Sequence, residues 1–150
     1  MRLLVIEDEQ TKANHIFSFL RETIGQKEFD YAKSYMGTLV KLKHNEYDVI
    51  ILDMSLPLND KYEQDDFLTF GGIEILDELK RKKRKERVLV FTAFDILGEK
   101  EKKISLEKLD EKMKKDYQDN YLGCVHYNAL SLEWKDEIIK MLGIERYDKE

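Results

Sequence analysis

Short apolar runs alternate with helical patterns along the first part of the chain. Residues 3–6 (LLVI) are apolar at every position and acids follow at once, which is typical of a strand buried on both faces. After them, one helix face is indicated by the spacing of Ala13, Ile16, Phe17, Leu20 and Ile24. Gly25 then stands where a helix often ends in the left-handed conformation.

The next elements continue this alternation. Residues 28–32 predict a second strand, and residues 34–44 predict a helix with an apolar stripe of Met36, Leu39 and Val40. Residues 49–52 (VIIL) form the clearest buried strand. This strand leads directly into Asp53.

The second part of the chain has the same alternation with wider spacing. A helix begins near Gly71, strands are predicted over residues 88–91 and 122–127, and a closing helix over residues 132–142. Between those strands, a helical pattern is formed by Leu106, Leu109, Met113 and Tyr117. Buried strands that alternate with helices predict a parallel sheet covered on both faces. Since no repeat and no linker rich in Pro, Gly or Ser interrupts this pattern, we predict one domain over residues 1–150.

Composition narrows the class of protein. Of the 150 residues, 42% are apolar and 38% are charged, which suits a globular core with a charged surface. The formal net charge of -5 argues against general affinity for nucleic acid. The single cysteine, Cys124, excludes an internal disulfide and a thiolate zinc cluster. No apolar run approaches the ~20 residues of a membrane span, and the first run is too short for a signal peptide, so we predict a cytoplasmic protein.

Acidic and hydroxyl side chains follow the predicted strands. Glu7, Asp8 and Glu9 come after the first strand, Asp53 after the third, and Thr92 closes the fourth. The carboxyl ends of parallel strands meet at one edge of a sheet, and ligands bind there where the strand order reverses. Converging carboxylates repel one another unless a cation neutralises them, and hard oxygen ligands suit Mg²⁺. The sequence therefore predicts a Mg²⁺ site at this edge.

Asp53 also has the chemistry of a phosphoacceptor. A carboxylate can attack phosphorus and form an aspartyl phosphate, and Mg²⁺ offsets the charge at the transferring group. Thr92 can donate a hydrogen bond to a phosphoryl oxygen. Alone, each would be an ordinary residue at a strand end, but their combination with Glu7 and Asp8 favours the functional interpretation.

Four segments resemble the response regulator receiver domains of two-component signalling. Residues 4–9 (LVIEDE) resemble the first strand and acidic pair of that family, and residues 48–57 (DVIILDMSLP) resemble its phosphoacceptor strand and loop. Residues 72–76 (GIEIL) resemble the start of its third helix, and residues 90–93 (VFTA) resemble its fourth strand. The resemblance spans almost the whole chain in the right order, and the aspartate segment is its most specific part.

This resemblance implies a fold and a role for each site residue. The fold is a flavodoxin-like three-layer α/β/α sandwich with a five-stranded parallel sheet. Asp53 is the implied phosphoacceptor, Thr92 would sense the phosphoryl group, and Tyr127 would be the aromatic switch residue. The implied Mg²⁺ ligands are Glu7, Asp8, Asp53 and the backbone carbonyl of Ser55.

Partners follow from the same resemblance. A histidine kinase or a phosphotransfer protein would donate the phosphoryl group, and a downstream output protein or a second copy of the chain would read the change. The chain would be a signalling phosphoprotein, with no catalysis beyond its own phosphorylation and dephosphorylation. Little sequence follows the last predicted helix, so we expect no DNA-binding output domain. We also expect no membrane partner.

One departure from the family concerns a cation. Receivers place a Lys-Pro pair just after the fifth strand, where the lysine pairs with the phosphoryl group, but this chain has Leu130 and Ser131 there. No lysine occurs between Lys115 and Lys135, and Lys135 lies in the following helical pattern, which makes it a poor substitute. We expect weaker stabilisation of the phosphorylated state and of its coupling to the switch surface, while metal binding survives.

Two segments are longer than a receiver needs. Residues 58–70 place acidic and aromatic side chains beside the active edge, and residues 95–120 expand the region where receivers change shape on activation. The helical spacing in the second segment predicts a longer fourth helix or an added one. Long segments at an active edge are often functional, so both predict specialised partners.

Two other functions stay open. A receiver-derived interaction module that no longer uses phosphorylation is favoured by the missing lysine and the long segments. A Mg²⁺-dependent phosphohydrolase with Asp53 as nucleophile has less support, because Ser55 stands where such enzymes have a second aspartate as general acid. The basic run at residues 80–85 (KRKKRK) is interpreted as a helix C-terminus, where cations complement the helix dipole.

Overall fold

The computed structural model describes residues 1–61, 67–93, 96–97 and 104–145. Within them, the strands are β1 Leu3–Ile6, β2 Asp30–Ala32, β3 Val49–Leu52, β4 Leu56–Pro57, β5 Phe67–Leu68, β6 Arg87–Thr92, β7 Ile96–Leu97, β8 Ile104–Ser105 and β9 Tyr121–His126. The helices are α1 Gln10–Phe19, α2 Tyr35–His44, α3 Gly71–Arg81, α4 Leu106–Asp116 and α5 Glu133–Leu142. A π-helical segment, Leu20–Ile24, continues α1 and ends at Gly25, whose φ of 79° is left-handed.

Five strands form the central parallel sheet in the order β2-β1-β3-β6-β9. The order reverses at β1 and β3, so these two strands are neighbours although β2 lies between them in the chain. The fold is the predicted flavodoxin-like α/β/α sandwich. A reversal of this kind opens a crevice at the carboxyl ends of the two strands, which is where ligands bind in such sheets.

Apolar side chains fill a cluster on each face of the sheet. Along β1, Leu4 and Ile6 join the cluster that α2, α3 and α4 cover, while Leu3 and Val5 join the cluster that α1 and α5 cover. All four are at most 1% exposed. Burial on both faces explains why this strand is apolar at every position.

The predicted inward stripe of α2 is wrong. Met36 and Val40 are 46% and 58% exposed, and the helix buries Thr38 and Leu42 instead. Ser34 caps the helix by accepting the backbone N–H of Gly37, and the face that packs on the core carries Tyr35, Leu39 and Leu42. Leu39 keeps its predicted place and packs partly buried against the core.

The segment over residues 58–70 is closed at its base by two short strands. β4 pairs antiparallel with β5, with Leu56 opposite Leu68 and Pro57 opposite Phe67. Residues 62–66, which carry three of its acids, lie outside the described residues.

The segment over residues 95–120 contains two short strands that the sequence pattern does not predict. β7 pairs antiparallel with β8, with Ile96 opposite Ser105 and Leu97 opposite Ile104. The helix that follows, α4, has 11 residues. The described part of this segment holds this helix and the pair of short strands before it. Its helical stripe is confirmed, since Leu109, Met113 and Tyr117 are buried.

None of the helices among the described residues is both long enough and apolar enough to span a bilayer.

Candidate functional site

Three carboxylates meet at the carboxyl edge of the sheet, where β1 and β3 lie side by side. Ile6 is paired with Leu52, so the residues that follow them are neighbours. The backbone N–H of Asp53 donates to the carbonyl of Ile6 at 3.0 Å, which extends this pairing one residue beyond the strands. Glu7, Asp8 and Asp53 each place one carboxylate oxygen within 4.8 Å of the other two. The fold thus brings together the three acids that the sequence singles out.

Two of these acids have little contact with water. Glu7 is 1% exposed and Asp53 is 6% exposed, whereas Asp8 keeps contact with solvent. Burial, and next the nearby Asp53 carboxylate, raise the pKa of Glu7 to about 7. Loss of hydration, and next repulsion from Glu7, raise the pKa of Asp8 to about 6, and burial raises the pKa of Asp53. A cation among them would favour the ionised form of all three.

The donor set fits Mg²⁺. Carboxylate oxygens are the ligands that this small, hard cation takes in proteins, and it keeps several waters, for which the exposed Asp8 leaves a solvent side. Oδ1 of Asp53 is buried and accepts no hydrogen bond from the described residues, and Oε1 of Glu7, equally buried, faces the ammonium of Lys12 at 2.6 Å. Buried oxygens without donors are costly unless a cation compensates them. Glu7, Asp8 and Asp53 are therefore suited to hold the metal.

The loop after Asp53 is held from two sides. Ser55 is 4% exposed, and its hydroxyl donates to the carbonyl of Thr69 at 2.9 Å. The carbonyl of Met54 accepts the N–H of Gly72, in the first turn of α3, at 2.8 Å. A Cβ on Gly72 would lie 3.0 Å from Cα of Met54, so this close approach requires glycine. The backbone from which a Ser55 carbonyl ligand is predicted is thus fixed by β5 and α3.

Thr92 and Tyr127 mark the carboxyl ends of β6 and β9. Thr92 is fully buried, and its carbonyl accepts the N–H of Tyr127 at 2.8 Å. The ring of Tyr127 packs against Phe91 and Trp134, with centroids 5.3 Å and 5.8 Å away, and its hydroxyl contacts Nδ1 of His15. The sensing role of Thr92 and the switch role of Tyr127 stay predictions.

Lys12, which is not among the predicted site residues, lies among these carboxylates. Nζ of Lys12 is 2.6 Å from Oε1 of Glu7 and 3.5 Å from Oδ1 of Asp53. It also donates to the carbonyl of Phe91 at 2.7 Å. The sequence does carry a signal, because Lys12 precedes Ile16 by one helical turn and so puts a charge into the apolar stripe of α1. A charge at a core position needs a buried partner, which indicates this site.

The loop after β9 brings no cation to the acids. Leu130, the predicted counterpart of the receiver lysine, is 97% exposed and lies four residues beyond the end of β9, whereas Tyr127 is the residue directly after the strand. Lys135 lies over the ring of Trp134, with Nζ 5.5 Å from its centroid. Among the ion pairs of the described residues, those of Lys12 are the ones that reach the acidic cluster.

Comparison with protein families agrees with this geometry. The family described as "Response regulator receiver domain" matches residues 3–122. The chain belongs to this family. Its members are signalling domains, and the matched part of this receiver includes the three acids and Thr92.

Two relatives align with this receiver over nearly the whole length of both chains. The uncharacterized protein y4jR of Sinorhizobium fredii is 23% identical over 142 residues, which are 92% of this chain and 94% of y4jR. The Detocs response regulatory protein DtcB of Enterobacter cloacae is 20% identical over 147 residues, 95% of this chain and 98% of DtcB. The transcriptional regulatory protein LytR of Staphylococcus aureus is 30% identical over 95 residues, 63% of this chain but 34% of LytR.

Solved receiver structures share the fold. The receiver domain of the Francisella response regulator 1452 has a TM-score of 0.60 at 22% identity, over 94% of this chain and 93% of that one. The response regulator TrrA of Thermotoga maritima, solved in complex with Mg(2+)-BeF, has a TM-score of 0.56 at 21% identity, over 93% and 97%. At these identities, the likeness shows the fold alone.

Proposed function

We propose that this receiver accepts a phosphoryl group on Asp53 from a histidine kinase or a phosphotransfer protein, with Mg²⁺ held by the adjoining acids. The observation that carries the proposal is the meeting of Glu7, Asp8 and Asp53 where the strand order reverses. TrrA, which resembles the chain in fold and was solved with Mg(2+)-BeF, gives further support.

The reaction transfers one phosphoryl group between two nucleophiles. A carboxylate oxygen of Asp53 attacks the phosphorus of a phosphohistidine, and a P–O bond forms while the P–N bond breaks. The leaving imidazole keeps the electron pair of the broken bond and takes up a proton. Mg²⁺, when bound, supplies positive charge that offsets the phosphoryl oxygens. The chain orients the nucleophile through the Asp53 N–H bond to Ile6 and through the loop held by Thr69.

The signal would leave by protein–protein contact in the cytoplasm, to an output protein or a second copy of the chain. DtcB, which is matched over 98% of its own length, is described as a response regulatory protein and supports a role in regulation. The strand pairs β4–β5 and β7–β8 are the candidate contact surfaces, because they follow the carboxyl ends of β3 and β6 in the chain.

Mass spectrometry with Asp53→Asn tests this proposal. Wild type incubated with Mg²⁺ and acetyl phosphate, or with a phosphorylated histidine kinase, should gain the mass of one phosphoryl group, and EDTA should prevent the gain. Asp53→Asn should gain nothing. The matched control is Asp48→Asn, at the exposed amino end of the same strand, which should behave as wild type. A wild type that gains no phosphoryl group from either donor, or an Asp53→Asn variant that still gains one, would contradict the proposal.

A second candidate is an interaction module that does not depend on phosphorylation. The ion pair between Lys12 and Glu7 favours it, because a lysine can neutralise the acidic cluster without a metal. Under this alternative, Asp53→Asn would bind the partner of the wild type with equal affinity, and Mg²⁺ with acetyl phosphate would not change that affinity.

A further inference from the structure

We propose that Lys12 is the cation that binds the phosphoryl group on Asp53, and that it reaches the site from α1. This inference rests on the proposed phosphorylation of Asp53 and adds a residue that binds the phosphoryl group to that site. It assigns a role that the loop after β9 leaves unfilled, since Tyr127 and not a lysine follows that strand.

The ammonium of Lys12 is buried beside the reacting carboxylate. Its side chain is 4% exposed, and an ammonium out of water is retained where charged or polar partners repay its lost hydration. Those partners are Glu7 at 2.6 Å and the carbonyl of Phe91 at 2.7 Å. The cation is therefore fixed at the edge of the sheet where Asp53 stands.

One donor of this ammonium remains for the Asp53 side. A lysine has three N–H donors, and the two short contacts to Glu7 and Phe91 account for two of them. Oδ1 of Asp53 is 3.5 Å away, beyond the usual hydrogen-bond range, and accepts no hydrogen bond from the described residues. A phosphoryl group joined to Asp53 would bring further oxygens next to the ammonium. The arrangement is thus incomplete with the bare carboxylate.

The position of Lys12 is set before any ligand arrives. The carboxylate of Glu9 caps α1 by accepting the N–H of Thr11 at 3.0 Å and of Lys12 at 2.7 Å, which fixes the first turn. Nζ then lies 5.0 Å from the ring centroid of Phe91 and 5.9 Å from that of Tyr127, where aromatic faces attract a cation. A donor held in place in this way needs no reorganisation to meet a phosphoryl oxygen.

The test measures binding of Mg²⁺ and of beryllofluoride separately in Lys12→Met, which removes the charge and keeps most of the stem. With saturating Mg²⁺, the affinity for beryllofluoride should fall roughly 10-fold or more, as expected for the loss of a charge-assisted hydrogen bond. The affinity for Mg²⁺ alone should stay the same or rise, because a positive charge beside Glu7 is gone. A side chain that only supports the fold would not move the two affinities in opposite directions.

Two further variants complete the set. Lys12→Arg keeps the charge and should recover part of the beryllofluoride affinity. Lys135→Met, in which a lysine over the ring of Trp134 is replaced, should bind as wild type. Calorimetry gives both affinities, and fluorescence of Trp134, the single tryptophan, follows the same titrations from its place against Phe91 and Tyr127. Urea unfolding of each variant checks that it is folded.

The outcomes separate this proposal from the proposed function. Beryllofluoride binding that requires Asp53 but is equally tight in Lys12→Met would overturn the role of Lys12 and leave phosphorylation standing. Equal losses of Mg²⁺ and beryllofluoride affinity in Lys12→Met, with no recovery in Lys12→Arg, would also overturn it and leave Lys12 a structural residue. Absence of Asp53-dependent binding in wild type would instead overturn the proposed function.

Discussion

The central sheet buries a glutamate at each end, and the two ends treat its charge differently. At the amino end, Glu86 is 3% exposed and accepts hydrogen bonds from Nε and Nη2 of Arg84 and from the backbone N–H of Tyr47. Burial alone would raise the pKa of Glu86, but these hydrogen bonds outweigh it and keep the pKa below its usual value. At the carboxyl end, Glu7 is as deeply buried, and burial raises its pKa to about 7.

The difference lies in the donors around each acid. Arg84 also donates to the carbonyls of Leu42 and Asn45 at 2.6 Å and 2.7 Å, so one guanidinium joins the end of α2 to the start of β6. Glu7 instead accepts one backbone N–H, that of Glu9 at 3.1 Å, and shares one lysine with Asp53. A buried charge whose donors are all in place stabilises the fold, whereas one with too few donors stays available for a ligand.

Arg84→Met should have the largest effect on stability. It leaves the buried Glu86 carboxylate without its cation, and breaking a buried pair in this way costs about 3 kcal/mol of unfolding free energy. Urea unfolding measures the loss. The matched control is Arg81→Met, because Arg81 pairs with Glu78 on the exposed face of α3 and its loss should leave the unfolding midpoint unchanged. Equal midpoints for the two variants would show that Arg84 contributes no more to stability than an exposed ion pair does.

The raised pKa of Glu7 should make stability depend on pH in the opposite sense to the lowered pKa of Glu86. The folded pKa of Glu7, about 7, lies above the ordinary value of 4.5, so the folded chain binds more protons between these values. Its contribution to the free energy of unfolding therefore falls as the pH rises from about 4.5 to 7, by an amount on the order of 2 kcal/mol. The difference between wild type and Glu7→Gln, measured in EDTA from pH 5 to pH 8, isolates this contribution.

Added Mg²⁺ should reverse that loss. The metal competes with protons for Glu7 and Asp8, so its stabilisation should be larger at pH 8 than at pH 5.5. A difference between wild type and Glu7→Gln that stays constant across the range, or that grows in favour of wild type, would show that Glu7 carries no raised pKa.

Asp53→Asn should have the smallest effect, and it should stabilise the metal-free protein. The substitution removes one of several carboxylates that are held together in a buried place, and we expect a gain of about 1 kcal/mol at pH 8 in EDTA. Unfolding with and without Mg²⁺ measures both this gain and the expected loss of metal stabilisation. A destabilised Asp53→Asn would mean that the carboxyl end is a structural ion network like the amino end.

The sequence could predict the sheet and its acids because both depend on local pattern. A strand buried on both faces is apolar throughout, and Glu7 and Asp53 follow such strands directly. The inward face of α2 follows the apolar spacing of Tyr35, Leu39 and Leu42, but Met36 and Val40 offer a second apolar spacing on the other side, so the pattern alone is ambiguous. Strands of two residues, such as β7 and β8, are too short to leave a periodic pattern.

The place of Lys12 depends on contacts that spacing does not encode. Its ammonium crosses from α1 to the carbonyl of Phe91, a residue 79 positions away in the chain. Only the packing of α1 against β6 shows that a lysine of the first helix meets the acid of the third strand.

Residues 58–66 and 98–103 each lie between two short strands that pair with one another, and this has a consequence for how the family can diversify. Because β4 meets β5 and β7 meets β8, the two ends of each of these stretches are already together. Lengthening a closed segment adds little entropy cost, about 0.6 kcal/mol for each doubling. Evolution can therefore change the length and sequence of either tip, and so the choice of partner, while the acids at the sheet edge keep their positions.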